Sequence, residues 1–223
     1  MSSKNITGSL LVLAWPDTMV IKMGGWYDAT SKKLGLMIDD HYKAGHAASI
    51  LVNHSTGELK YFDFGRYHSP IGKGRVRDSE TDPDLTLDII ADIDSNNKIL
   101  NIEEILLTIS KKKACHGKGR LLATVCSEVN YVDSLKKAKQ MQNRDAIAYG
   151  PFAYKGTNCS RFVSQILIKG IQNKTTNLLL QLPYTITSTP ISNIRLANNF
   201  KGYYKVINGI VTKHNSFTNK EIK

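Results

Sequence analysis

Cysteine is scarce in this chain, with three among 223 residues, at positions 115, 126 and 159. An odd trio builds no disulfide framework, so the expected compartment is reducing and a special cysteine is expected to be a nucleophile. No apolar run approaches the ~20 residues of a membrane helix. The best N-terminal candidate, Leu10 to Trp15, is short and follows only one cation, Lys4. It meets Pro16-Asp17 where a small-residue cleavage site would stand, so it reads as a buried strand and the protein as cytoplasmic. Repeats and low-complexity tracts are missing. So is any His/Cys spacing of a zinc site, and neither metal nor cofactor is expected. What remains is ordinary globular material, 41% apolar and 22% charged, long enough for a real core.

Acidic residues are short in one half only. Residues 1–110 hold 11 Lys and Arg against 15 Asp and Glu, whereas residues 111–223 hold 19 against 4. A basic half fits an anionic partner, such as a phospholipid surface or a cell-wall polymer. It also fits a solvated lysine-rich surface, the commoner case. The cations carry no interleaved aromatics and no nucleic-acid motif, which disfavours nucleic acid.

Leu10–Trp15 and Met19–Met23 read as strands parted by a Pro-Asp turn. Gly45–Asn53 and Glu58–Gly65 flank His54-Ser55-Thr56-Gly57, a turn composition, and predict a β-hairpin. Gly65–Asp84, rich in Gly, Arg, Pro and Asp, reads as a long loop. Ile102, Ile105, Leu106 and Ile109 follow helical spacing behind Glu103-Glu104. A strand at Leu121–Val129 and an exposed lysine-rich helix at Val132–Gln142 follow. A third helix starts near Cys159, with Phe162, Val163, Ile166 and Leu167 on one face and Thr157-Asn158 as caps. After it, Pro183 and Pro190 among Thr and Ser suggest irregular chain, then a strand-like run at Tyr203–Val211 and a frayed tail. The organisation expected is one domain over residues 1–223, with a peripheral extension from about residue 196.

Cys159 stands out by position. A thiol in a helix's first turn faces unpaired N–H groups and the positive dipole end, which favours the thiolate. The same donors suit an acyl-transfer oxyanion. A buried structural cysteine is an even match for position alone. Cys126 lies in an apolar strand and reads as core, while Cys115, beside His116-Gly117, is open to exposure. Among six histidines, His46 opens an apolar strand after Gly45, a residue that lets another backbone close in. A strand-held imidazole is a rigid base, or a satisfied core histidine. On the partner strand, Tyr61, Asp63 and Gly65 share a face by alternation. Two readings of Asp63 stand level: an orienter of the imidazole, or the solvent side of an amphipathic strand.

Tyr149-Gly150 and Gly156-Thr157-Asn158-Cys159-Ser160-Arg161-Phe162-Val163 resemble the signature of the NlpC-type cell-wall peptidases, papain-like cysteine enzymes. The segment is still more similar to the Asn-Cys-x-x-Phe-Val run of the lecithin:retinol acyltransferase-like branch, which is circularly permuted. Gly45-His46-Ala47 resembles the histidine strand of both. Over roughly residues 10–195, through Tyr61–Tyr67, Gly74–Arg77 and Asn158–Val163, the chain also resembles an uncharacterised bacterial family assigned to the permuted fold. The order His46, Asp63, Cys159 fits that permutation. The resemblance implies an α+β, papain-like NlpC-type fold in permuted order, with an antiparallel sheet packed against helices. It implies Cys159 as nucleophile, His46 as base, Asp63 as orienter and Tyr149 beside the nucleophile. Asn158 and Arg161 depart from the usual Asp and Gly. Arg161 then becomes a candidate for binding an anionic substrate group, or for pairing with a carboxylate. Arg66, Arg75 and Arg77 either line the cleft or are exposed loop charges.

The expected activity is a thiol hydrolase, peptidase or acyltransferase acting on an amide or ester, in a peptide, cell-wall fragment or lipid. The alternatives are an inactive papain-like binding module, or a basic-surface protein that binds an anionic polymer or membrane.

Overall fold

The computed structural model describes residues 5–21, 37–38, 41–42, 45–150, 153–182 and 188–217. Eleven strands are placed among them: β1 (Gly8–Trp15), β2 (Val20–Ile21), β3 (Met37–Ile38), β4 (His41–Tyr42), β5 (His46–Asn53), β6 (Leu59–Gly65), β7 (Lys73–Arg77), β8 (Leu121–Val129), β9 (Ile147–Ala148), β10 (Tyr203–Ile207) and β11 (Ile210–His214). Eight form one sheet in the order β11-β10-β8-β1-β5-β6-β7-β9, and β2-β4-β3 form a second, smaller one. Every pairing is antiparallel. Five α-helices lie among the described residues: α1 (Ile102–Lys111), α2 (Tyr131–Gln142), α3 (Cys159–Gly170), α4 (Lys174–Gln181) and α5 (Pro190–Ala197). The architecture is α+β.

Strand β1 is buried along its whole length because both faces of the large sheet are covered. Alternation sorts its side chains: Leu10, Val12 and Ala14 pack with α2–α5, while Leu11, Leu13 and Trp15 pack against α1 and the chain around Leu85–Ile99. Helix starts are marked by side-chain caps. Asn130, Asn158, Asn173 and Thr189 each accept an N–H from the first turn of α2, α3, α4 and α5.

The expected hairpin is β5–β6, with Ala48 opposite Asp63 and Val52 opposite Leu59. The run from residue 10 is β1, and the strand at 121–129 and the helices at 102, 131 and 159 stand where periodicity places them. Of the expected Met19–Met23 strand, Val20–Ile21 is described and 22–23 lie outside the described residues, as does the tail from 218.

Three expectations are corrected. The loop at Gly65–Asp84 contains β7, which buries Val76 and Arg77, the latter a side chain that composition reads as solvent-facing. The stretch after α3 is helical in two pieces. Pro190 starts α5 rather than breaking it, at the N1 position behind a reciprocal Thr189–Ser192 capping box. The run at 203–211 is a hairpin, β10–β11, that makes one edge of the large sheet.

Candidate functional site

The site lies where β5 begins. Gly45 takes a left-handed turn (φ +70°), and a β-carbon there would stand 3.1 Å from both the Trp15 carbonyl and the Pro16 Cα. That close approach delivers His46 beside Trp15, its register partner on β1. The indole stacks on the imidazole with ring centroids 5.7 Å apart, so the ring has little freedom to turn.

Asp63 sits opposite Ala48, two residues from His46 on the same face of the sheet, and is fully buried. Its Oδ2 lies 3.4 Å from His46 Nε2, close enough for strong charge attraction though longer than a well-formed hydrogen bond. The carboxylate also accepts from Tyr61 Oη at 3.1 Å and from Arg77 at 3.0 Å (Nε to Oδ1) and 2.6 Å (Nη2 to Oδ2). Burial penalises the charge, but His46 and Arg77 outweigh it and hold Asp63 below the ordinary carboxylate range.

Cys159 is the first residue of α3. Asn158 caps the helix by accepting the Arg161 N–H at 2.8 Å, and its neutral amide adds no anion beside the sulfur. Burial opposes a thiolate here, yet the His46 side chain, the Ala47 N–H and the Ser160 hydroxyl together draw the thiol below its ordinary pKa. His46 responds in kind. Burial works against its charge, while Asp63 and Cys159 raise it to about 9. The arrangement favours a thiolate–imidazolium pair at neutral pH.

Tyr149 stacks on Phe64 (5.6 Å, 11°), and Phe64 packs on Phe162 of α3. A column of three rings thus ties Tyr149 to the helix that carries the thiol. Arg161 is half-buried in the first turn of α3. Cys126 is buried in the core as expected. Cys115 is buried too, which corrects the open reading: its short helical turn tucks it beside Tyr61. Burial pushes the Cys115 and Cys126 thiols up to about 11 and about 12.

The three arginines of the expected loop part company. Arg66 lies over the Tyr149 ring at 5.6 Å, Arg75 pairs with Asp82, and Arg77 is buried against Asp63. Trp15 was missed as a site residue, and Arg77 was foreseen as a cleft-lining or exposed loop charge but not as the partner of Asp63. The alternation that places Asp63 inward would have found Arg77 only if β7 had been recognised as a strand. No group of three or more His, Cys, Asp or Glu among the described residues is placed to hold a metal ion. No helix among them is long and apolar enough to cross a membrane.

Fold and site together define an α+β protein with a thiol, an imidazole and a carboxylate gathered at the end of an antiparallel sheet. The model of the family described as type VI secretion system effector TseH-like matches residues 10–176, and the chain belongs to that family. A crystal structure of the type VI secretion system effector TseH superposes with a TM-score of 0.61 at 18% identity, covering 93% of this chain and 98% of that one. No curated protein matches the sequence.

Proposed function

We propose that this chain is a cysteine hydrolase or acyltransferase effector on a permuted papain-like scaffold, cleaving an amide or ester through an acyl-enzyme. The observation that carries the reading is the thiol of Cys159 at a capped helix start, in reach of an imidazole that is itself backed by a buried carboxylate. Its Nε2 turned to Asp63, His46 presents Nδ1 to the thiol and takes its proton. The thiolate attacks the substrate carbonyl. Developing negative charge on oxygen falls at the start of α3, where the N–H groups of Cys159 and Ser160 remain after Asn158 has bonded those of Arg161 and Phe162. His46 then protonates the leaving group, and water or another acceptor takes the acyl group from sulfur.

Tyr149 and Arg161 flank the nucleophile in this reading, Arg161 as a cation for an anionic substrate group. Membership of a type VI secretion effector family supports export from the cell that makes the protein as part of this reading, where the sequence alone led to a cytoplasmic expectation. Peptide, cell-wall and lipid carbonyls all suit the chemistry.

The test is the pH dependence of iodoacetamide alkylation, mapped to individual cysteines, in wild type and in His46→Ala. Cys159 is expected to react near neutral pH and to need a higher pH when His46 is removed. Cys115 and Cys126 serve as internal controls, modified only when the protein unfolds. An accessible Cys159 that titrates near the ~8.5 of a free thiol, indifferent to His46, rejects the catalytic pair.

A further inference from the structure

Asp63 is gripped before His46 reaches it. Arg77 is its direct partner across the β6–β7 ladder and donates to both carboxylate oxygens, at 3.0 and 2.6 Å. The same Nη2 donates to the Ala114 carbonyl at 3.1 Å, which ties the guanidinium to the turn that carries Cys115. Tyr67 supports it from below: its ring centroid lies 3.4 Å from Arg77 Cζ, and its hydroxyl is 3.4 Å from Asp63 Oδ2. That ring stacks in turn with His116 at 5.0 Å. Gly65 makes room for it, since a β-carbon there would come within 2.3 Å of the Tyr67 ring.

We infer that Arg77 is a positioning residue of the candidate site: its two-pronged grip sets the plane of the Asp63 carboxylate, which in turn sets the ring of His46 toward Cys159. The inference rests on the proposed function, and adds to it the part that holds the orienter still. A carboxylate bound through both oxygens cannot swing, and Oδ2 is left 3.4 Å from His46 Nε2. Only arginine supplies such a planar fork. Lysine offers the same charge as a point and bonds one oxygen well. The groups facing His46 are Trp15 from β1, Asp63 from β6 and Cys159 from α3, with Tyr61, Tyr67, Arg77, Cys115 and His116 around Asp63.

Arg77→Lys separates geometry from charge. The full-length variant and wild type are compared by nitrogen-15 NMR titration of the His46 ring and by alkylation of Cys159. Loss of the fork is expected to lower the His46 pKa by about one unit, a tenfold drop in proton affinity, and to slow Cys159 alkylation at neutral pH. A folded Arg77→Lys protein with the wild-type titration and rate overturns the inference. Wild type alone supplies a second test: the Arg77 Nε–H resonance is expected to resist solvent exchange and to move with the His46 titration. A resonance that exchanges freely, or ignores His46, overturns it even if the variant does not fold. Should wild-type Cys159 react as an ordinary thiol, the proposed function fails, while the His46 titration still tests Arg77.

Discussion

Strand β7 carries two arginine–aspartate pairs two residues apart, built alike and placed differently. Arg75 grips Asp82 through two bonds of 2.7 Å, with both side chains 19% exposed. Arg77 grips Asp63 in the same forked manner, with its side chain 4% exposed and its partner sealed. The outer pair joins positions seven apart in the chain and ends there, at Thr81 and the Tyr67 carbonyl. The inner pair has a further neighbour, because the Asp63 carboxylate reaches His46. Fork geometry alone therefore does not tell the two pairs apart. What separates them is the imidazole that the inner carboxylate also meets.

Stability separates the two pairs most sharply. Asp63→Ala strands the Arg77 charge in the interior and is expected to cost about 3–5 kcal/mol in urea unfolding. Asp82→Ala leaves Arg75 near water and is expected to cost about 1 kcal/mol or less. Equal losses would erase the distinction.

The acid limb comes next. Asp63 and Asp82 both titrate below their ordinary range in the folded protein: burial works against their charges, and hydrogen bonds and cations outweigh it. A depressed carboxylate contributes stability that is present above its unfolded pKa of ~3.9 and is lost as pH falls through the folded value. Wild-type stability is therefore expected to drop below about pH 4. Asp63→Ala, measured by the same urea titrations, is expected to remove more of that drop than Asp82→Ala.

A subtler slope lies at neutral pH. His46, raised to about 9, holds a proton that it would lose at 6.5 when unfolded, and by itself would lose stability as pH rises from 6.5 through 9. Cys159, with its pKa lowered, gives up a proton that it would keep when unfolded, and its contribution runs the other way. The two oppose each other, so wild-type stability is expected to change less with pH across that window than His46 alone would make it. Cys159→Ala removes that opposing side together with the thiolate's share of the His46 rise; with Asp63 still raising the imidazole, urea unfolding is expected to show stability falling as pH rises above 6.5. The smallest difference is in salt: raising it to 1 M should weaken the outer pair and leave the inner one alone, read as a salt-dependent cost of Asp82→Ala only.

Much of this was legible in the residues. The alternation of Tyr61, Asp63 and Gly65, the strand opened by His46 and the capped start at Cys159 specify faces and ends, and face and end are what a period of two or of 3.6 encodes. The role of Arg77 was not legible because it depends on which strand lies beside β6, and on a short strand that buries a charged side chain. Helices α4 and α5 were hidden by composition: Thr and Asn dilute the first, and Pro190 looks like a breaker unless Thr189 is seen to cap it. Cys115 looked open because its neighbours are polar. Its burial comes from packing beside Tyr61, a contact 54 positions away in sequence.

The hairpin turn between β5 and β6 acts as a ruler for the candidate site at the other end. Gly57 takes φ +70° there, and a β-carbon on it would strike the Ala91 carbonyl at 2.4 Å. Asn53 and Gly57 close the turn, and Ala91 bonds back to Gly57 at 2.8 Å. Six residues of strand, roughly 20 Å, separate that anchor from Asp63. A slip of one residue at the turn would rotate the carboxylate through the sheet and offer His46 a phenylalanine ring instead. The spacing of charge at the thiol is thus set by a count of peptide units, made at the far end of the hairpin.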